Sequence, residues 1–365
     1  MSKAAELANL IGNINAGGGG ANKNFIINGN LSCSQRGTSA VTINSGSATY
    51  RLDRFYASGA SSAGVFTVEQ STDAPTDFKN SLKVTVTTAD SSIGSTTNYR
   101  VNQNIEGQNI SSLNYGSSNA KTVTLSFYVK SSLTGTFGGK LGNSDRDRSH
   151  PFTYTISSAN TWEQKTVTIT GDTSGTWLDT NGIGFELVWS IGAGADRLGT
   201  AGTWAGVRYD GASGQTNIIA TNSSTWLITG VQLEVGQNAT SFEHEPFDRT
   251  LEKCHRYYEI IKPLGVVNGV FGFGGYYNST LVFLDVQYKH KRTASPSLEH
   301  ATVTSGYLIE TNGASDYFNS FTGMLRQTHT MAQLYTNSDV SGTAGMAGNC
   351  WTNSTNTFIA VEDEL

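Results

Sequence analysis

A hydrophobic period of two residues recurs along this 365-residue chain and constrains its fold more than any other feature. Leu82, Val84 and Val86 alternate with polar residues; so do Val123, Leu125, Phe127 and Val129, and so do Ile183, Phe185, Leu187, Trp189 and Ile191. Successive side chains of an extended strand point to opposite faces, so each run describes an antiparallel strand with one face on a core. Turn-forming stretches such as Gly171-Asp172-Thr173-Ser174-Gly175 separate the runs. Many strands with no helices between them imply an all-β sandwich or jelly roll. Residues 225–236 sharpen this expectation. Trp226 and Ile228 set one parity, Val231, Leu233 and Val235 the other, and Gly230 stands where the parity changes. A β-bulge at Gly230 puts both sets on one continuous buried face.

Four segments follow from the pattern. Residues 2–15 read as a helix that Ser2 caps, with Leu7, Leu10 and Ile14 at three-then-four spacing, the seam of a short coiled coil. So short a helix is unstable alone in water and needs copies of itself, the body or another protein to pack against. Residues 1–22, with a hinge at Gly17–Gly20, are therefore expected to serve attachment or trimerisation; a frayed terminus is the plain alternative. Residues 23–246 form the jelly-roll β-sandwich. Residues 247–262 read as a linker helix: Asp248 caps it, Leu251, Cys254, Tyr258 and Ile261 follow at helical spacing, and Pro263 ends it. Residues 263–365 form a smaller C-terminal β-sandwich with strands at Leu281–Lys291, Phe321–Gln327 and Thr357–Val361. There is no fixed-period repeat of the kind a β-helix or propeller shows.

Charge excludes several function classes. Charged residues make up 15% of the chain and the net charge is −5, so the surface is carried by Ser, Thr, Asn and Gly. No nucleic-acid partner is expected, because the densest basic cluster, Lys289 to Arg292, is short and suits a strand end better than a phosphate backbone. Cys33, Cys254 and Cys350 are odd in number and lack metal-ligand spacing, which suits buried thiols of a protein folded in reducing cytosol. The opening residues lack a basic and then apolar export signal, and no apolar run reaches membrane-span length. The expectation is exit by lysis as part of a particle, or no exit at all, without membrane insertion.

Catalytic patterns are missing as well. There is no G-x-S-x-G elbow, and the six histidines are scattered, none in H-E-x-x-H. Residues Gly269 to Gly275 lack the lysine and the following helix of a phosphate-binding loop. The best carboxylate pair, Asp145 and Asp147, lies between Arg146 and Arg148, where local ion pairing is the expectation and one side of a calcium site the alternative. Glu243, His244 and Glu245 read as a solvated turn rather than an ion site. No cofactor is expected. Sugar recognition asks for aromatic rings that stack on the apolar face of a pyranose, beside short polar side chains. Trp204, Tyr209, Tyr335 and Trp351 sit in Gly-, Asn- and Thr-rich surroundings and are the candidate glycan platforms, with a core-edge role as the plain alternative.

Several ordered motifs carry a family resemblance. NFIINGN at 24–30, SQRGTS at 34–39 and YRLDRFYA at 50–57 resemble the opening of tail-fibre and virion structural proteins of marine and cyanobacterial phages. SANTWEQKTVTITGDTSGTW at 158–177 resembles their central signature, and ITGVQLEVGQNATSFEHEPFDRTLEKCHRYYE at 228–259 their closing one. VQYKHKRTASPSL at 286–298 and FIAVEDEL at 358–365 resemble their terminal domain. The resemblance implies a virion tail component made in host cytoplasm, with a module like carbohydrate-binding jelly rolls. It also implies a homotrimer; the N-terminal segment is expected to join it to other tail proteins, and host surface glycan is the expected contact. It carries over no catalytic residue. The expectation is a non-enzymatic tail-fibre subunit. A purely structural capsid fibre, decoration or scaffold protein is the second reading, and a polysaccharide depolymerase the third.

Overall fold

The computed structural model describes residues 2–15, 23–59, 63–262 and 265–365. The Gly17–Gly20 hinge, Pro263 and the Ile14 side chain lie outside the described residues. The chain divides into two units, residues 1–251 with Leu365, and residues 252–364. Nearly all regular structure is β, with a short N-terminal helix, as the alternation requires.

The first unit is a sandwich of two six-stranded antiparallel sheets. One sheet runs, in spatial order, Val41–Ile43, Val65–Ser71, Ser81–Thr88, Thr225–Val235, Val123–Ser131 and Glu163–Ile169. The other runs Ala48–Leu52, Phe55–Gly59, Asn98–Glu106, Ile183–Ala193, Gly135–Gly142 and Ser149–Ile156. The alternating apolar residues of both sheets meet in one core that includes Val84, Leu125, Phe127, Trp189 and Trp226. Phe127 and Trp189 cross between the sheets with ring centroids 5.9 Å apart. The Trp226 indole N–H donates to the Tyr154 hydroxyl across the same core at 3.0 Å.

The bulge at Gly230 is present. Thr229 pairs with Tyr128 and Gln232 with Ser126, so two residues, Gly230 and Val231, face one on the partner strand. Trp226, Ile228, Val231 and Leu233 are all fully buried as a result. Gly230 has φ +61°, and a Cβ there would stand 2.7 Å from the Phe78 ring and 3.0 Å from the Tyr128 ring. Left-handed backbone and overpacking both oppose a side chain, so Gly230→Ala should lower stability by about 2 kcal/mol or more. A urea titration against the parent protein checks this, and the Phe78 and Tyr128 resonances should shift with it.

Sheet burial departs from the one-sided pattern at two central strands. Every residue of Asn98–Glu106 is buried, including the outward-facing Arg100, Asn102 and Asn104. Outward Glu186, Val188 and Ser190 of the neighbouring strand are buried too. The loop after Ala193 covers part of this face, where Asn98 donates to the Asp210 carboxylate at 2.7 Å and Gln215 to the Ser190 hydroxyl at 2.6 Å, while Asn104 donates to the Leu365 carbonyl at 2.8 Å.

The N-terminal helix spans Lys3–Asn15, and the Ser2 hydroxyl accepts from the Ala5 N–H at 3.3 Å, the capping bond its position suggests. Leu7 is exposed and Leu10 half-buried. The helix Phe247–His255 is shorter than its apolar spacing suggests. Tyr258 and Ile261 are not its continuation but lie in the strand Tyr258–Lys262, where the backbone pairs with Ile359–Glu362. A free strand edge competes for those backbone groups and overrides the local spacing.

The second unit contains a three-stranded sheet and a seven-stranded sheet around its own core of Tyr276, Leu284, Tyr307, Leu334 and Cys350 among others. Its strands are shorter than expected from sequence: Leu281–Gln287, Gly323–Leu325 and Ile359–Glu362. All three cysteines are buried and unbridged. Among the described residues no helix is long and apolar enough to cross a membrane.

Candidate functional site

A pocket of about 640 Å³ opens on the outer face of the first sheet, within the range of small-ligand sites. Its floor follows from the strand register. Tyr128 projects outward between the core residues Phe127 and Val129, and Gln164 lies directly opposite it. The loop after Ser71 brings in Asp77 and Phe78; the chain after Val235 brings in Thr240, Ser241, Phe242 and His244; Glu6 of the N-terminal helix completes the lining. Four rings gather here. The Phe78 centroid is 5.4 Å from Tyr128, 5.1 Å from Phe242 and 5.2 Å from His244, and Phe242 and His244 are 5.0 Å apart.

Buried polar groups beneath the pocket hold this rim in place. The Glu234 carboxylate accepts from the Thr240 N–H and hydroxyl, both at 2.8 Å. The Gln232 side chain donates to Glu234 and accepts from the Glu243 N–H, again at 2.8 Å each. The Ser241 hydroxyl donates to the Glu6 carboxylate. Buried, satisfied networks of this kind fix loops without further packing. The pocket thus offers ring faces to an apolar surface, and a carboxylate, an amide and hydroxyls to polar groups around it.

The four residues nominated from sequence lie elsewhere. Trp204 is half-buried at the core edge, with ring centroids 5.1 Å from His150, 5.5 Å from Trp177 and 6.0 Å from Tyr115, and its indole N–H donates to the Thr170 carbonyl at 2.8 Å. Tyr209 is half-buried against Gly199, where a Cβ would stand 2.2 Å from its ring. Tyr335 and Trp351 share the outer face of the seven-stranded sheet of the second unit, although they do not touch in register. Tyr335 pairs with Phe283, and their centroids are 6.2 Å apart. Beside them Phe273 and Tyr277 are 71% and 72% exposed. Trp351 pairs with Val270 and Leu308, and its buried indole N–H has no acceptor among the described residues. Glu243, His244 and Glu245 do not converge on an ion: Glu243 accepts from the Asn24 N–H, Glu245 from the Thr250 hydroxyl, and His244 packs on phenyl rings.

A charged network occupies the outward face of the second sheet. The Glu186 carboxylate meets Arg100 at 2.8 Å, Arg146 at 3.2 Å and the fully buried Lys140 ammonium. The Asp210 carboxylate meets Arg208 at 3.0 Å and Arg100 at 3.8 Å. Burial opposes ionisation of Glu186, but Lys140, Arg100 and Arg146 outweigh it and hold the carboxyl far below the usual carboxylate range. The expected pairing of Asp145 and Asp147 with the arginines beside them gives way to longer-range partners. Arg146, at φ +58°, turns to Glu186, and Arg148 forms a two-pronged pair with Asp172 at 2.7 and 2.8 Å.

No family model and no curated protein sequence matches the chain. Its fold is similar to several solved structures at low identity. The enzymatically active domain of tailspike protein 4 from bacteriophage CBA120 is 12% identical over 58% of this chain, with a TM-score of 0.31, and the match spans 21% of that chain. The N-terminal CBM22-1-CBM22-2 tandem domain of Paenibacillus barcinonensis Xyn10C is 10% identical over 90% of this chain and 97% of that one, with a TM-score of 0.27. The family 11 carbohydrate-binding module of the cellulase Lic26A-Cel5E of Clostridium thermocellum is 12% identical over 56% of this chain and 90% of that one, at 0.24. Similarity at this level carries no statement about ligands.

The pocket residues carry only a faint sequence signal. Phe242 and His244 alternate with Ser241 and Glu243, which by period alone describes one more two-faced segment. Phe78 and Tyr128 are 50 positions apart and come together through the Gly230 bulge and the sheet order.

Proposed function

We propose that this chain is a non-enzymatic phage tail-fibre subunit, assembled as a homotrimer, that contacts host surface polysaccharide through the ring-lined pocket of its first unit. The observation that carries this reading is the gathering of Phe78, Tyr128, Phe242 and His244 in one concavity with Asp77, Gln164 and Ser241 around them. Pyranose faces stack on such rings while hydroxyl groups find the polar rim. Binding without cleavage is supported by the carboxylates. Glycoside hydrolysis needs one carboxyl held protonated by a raised pKa. Among the described residues, Asp73, Glu163 and Glu186 each have their acidity displaced downward, the direction opposite to that of a general acid.

One shallow site binds weakly, and three copies on a fibre repeat the contact without new chemistry. The exposed Leu7 and half-buried Leu10 leave the N-terminal helix an apolar edge for attachment. Deleting residues 1–20 should abolish incorporation into particles while both β units stay folded; incorporation at the parental level would refute the attachment role. For the pocket, the test is a host-envelope glycan array probed with the full-length chain, followed by titration of the best oligosaccharide. Tyr128→Ala and Phe242→Ala should each weaken binding about tenfold or more. Unchanged affinity in both would remove the pocket from the account. Absence of any glycan or cell binding would favour a purely structural virion protein.

A further inference from the structure

We infer that the outward face of the second sheet, in the first unit, is a binding site for an anionic substituent of a saccharide, a carboxylate or a sulfate ester. The inference does not rest on the ring-lined pocket, which lies on the opposite sheet. Its basis is a charge imbalance in a largely dehydrated place. Three guanidiniums, Arg100, Arg146 and Arg208, face only Glu186 and Asp210, an excess of cations over carboxylates before Lys140 is counted; burial pushes the Lys140 pKa down, against the attraction of Glu186 and Asp210. The two carboxylates are buried and already shared: Glu186 contacts three cations and Asp210 two.

The imbalance is graded toward solvent. Lys140 and Arg100 lie at the base, while the Arg146 and Arg208 side chains are 39% and 25% exposed at the mouth. Burial lowers the Arg208 pKa, and repulsion from Arg146 and Arg100 adds to it against the attraction of Asp210. Arg146 uses Nη2 on Glu186, and Arg208 uses Nε and Nη2 on Asp210. Nε and Nη1 of Arg146 and Nη1 of Arg208 are left without a protein acceptor among the described residues. Other nearby acids are engaged: Asp172 holds Arg148, Asp147 accepts from Asn143 at 2.6 Å, and Asp145 accepts from Ser144 at 3.2 Å.

An uncompensated charge is costly where water is scarce, and an incoming anion relieves it. Guanidinium forks match the paired oxygens of a carboxylate or sulfate better than a sugar hydroxyl. A polysaccharide bearing uronic acids or sulfate esters supplies that group on a chain long enough to reach the mouth.

The test uses the full-length chain and four probes: a galacturonate oligomer, a sulfated oligosaccharide, a neutral oligosaccharide of equal length, and inorganic sulfate. Either acidic oligosaccharide should bind at least tenfold more tightly than the neutral one, and Arg146→Gln with Arg208→Gln should remove about tenfold or more of that affinity. Equal binding of acidic and neutral probes, or full affinity in the double variant, overturns the proposal. Binding of inorganic sulfate alone also overturns it, because the site would then read a free ion. If the double variant melts early, Arg146→Lys keeps the charge and loses the fork: a clear loss of acidic binding supports the proposal, and none overturns it. The ratio of acidic to neutral binding should be the same in Phe242→Ala as in the parent even if both affinities fall, which separates failure here from failure at the pocket; a ratio that collapses to one in Phe242→Ala overturns the proposal.

Discussion

Glu186→Gln should destabilise the first unit by about 3–5 kcal/mol, the range for breaking one side of a buried ion pair. The carboxylate sits among Lys140, Arg100 and Arg146, with only Arg146 appreciably exposed. An amide of the same shape keeps the packing but leaves the buried Lys140 ammonium and the Arg100 guanidinium facing a neutral group. Urea denaturation followed by tryptophan fluorescence measures the loss; a change within about 0.5 kcal/mol, as at ordinary surface sites, would contradict the account. Acid adds a second reading. Because the folded-state pKa of Glu186 lies below its unfolded value, its contribution is complete above the usual carboxylate range and is lost as pH falls through that range toward the folded value. The parent protein should therefore lose stability more steeply than Glu186→Gln as pH falls below about 4.5.

Trp226→Ala should cost about 3–5 kcal/mol by cavity formation. The indole is fully buried, and its N–H satisfies the Tyr154 hydroxyl in the middle of the sandwich. Trp189 offers a control of equal size. It too is fully buried, but its N–H has no acceptor among the described residues. Trp226→Phe loses both volume and a hydrogen bond, whereas Trp189→Phe loses volume and also relieves an unsatisfied donor. Thermal melts should rank Trp226→Phe below Trp189→Phe. The reverse order would show that the cross-sheet hydrogen bond is not what the tryptophan at 226 contributes.

The sandwich was legible where one face of a strand is apolar and the other wet. Leu82 to Val86, Val123 to Val129 and the two parities around Gly230 fall on the core as the period requires. It was not legible where polar residues are buried. Asn98, Arg100, Asn102 and Asn104 look like the wet side of a strand, yet Asp210, more than a hundred residues later in the chain, meets Asn98 and Arg100, and Asn104, which accepts from Asn102, donates to the Leu365 carbonyl. Local period cannot report a partner at that separation. The same limit hid the pocket, whose rings come from three stretches joined by register. Trp204 illustrates the converse: a glycine-rich setting suggested exposure, and the fold turned the ring inward onto Trp177 and Tyr115.

A crystal of the full-length chain soaked with the best oligosaccharide from the glycan array addresses the proposed role most directly. A pyranose ring lying over Tyr128 and Phe242, with hydroxyls within hydrogen-bond reach of Asp77 or Gln164, is the result expected. Sugar seated only on the Tyr335 face of the second unit, with the pocket empty, would contradict it.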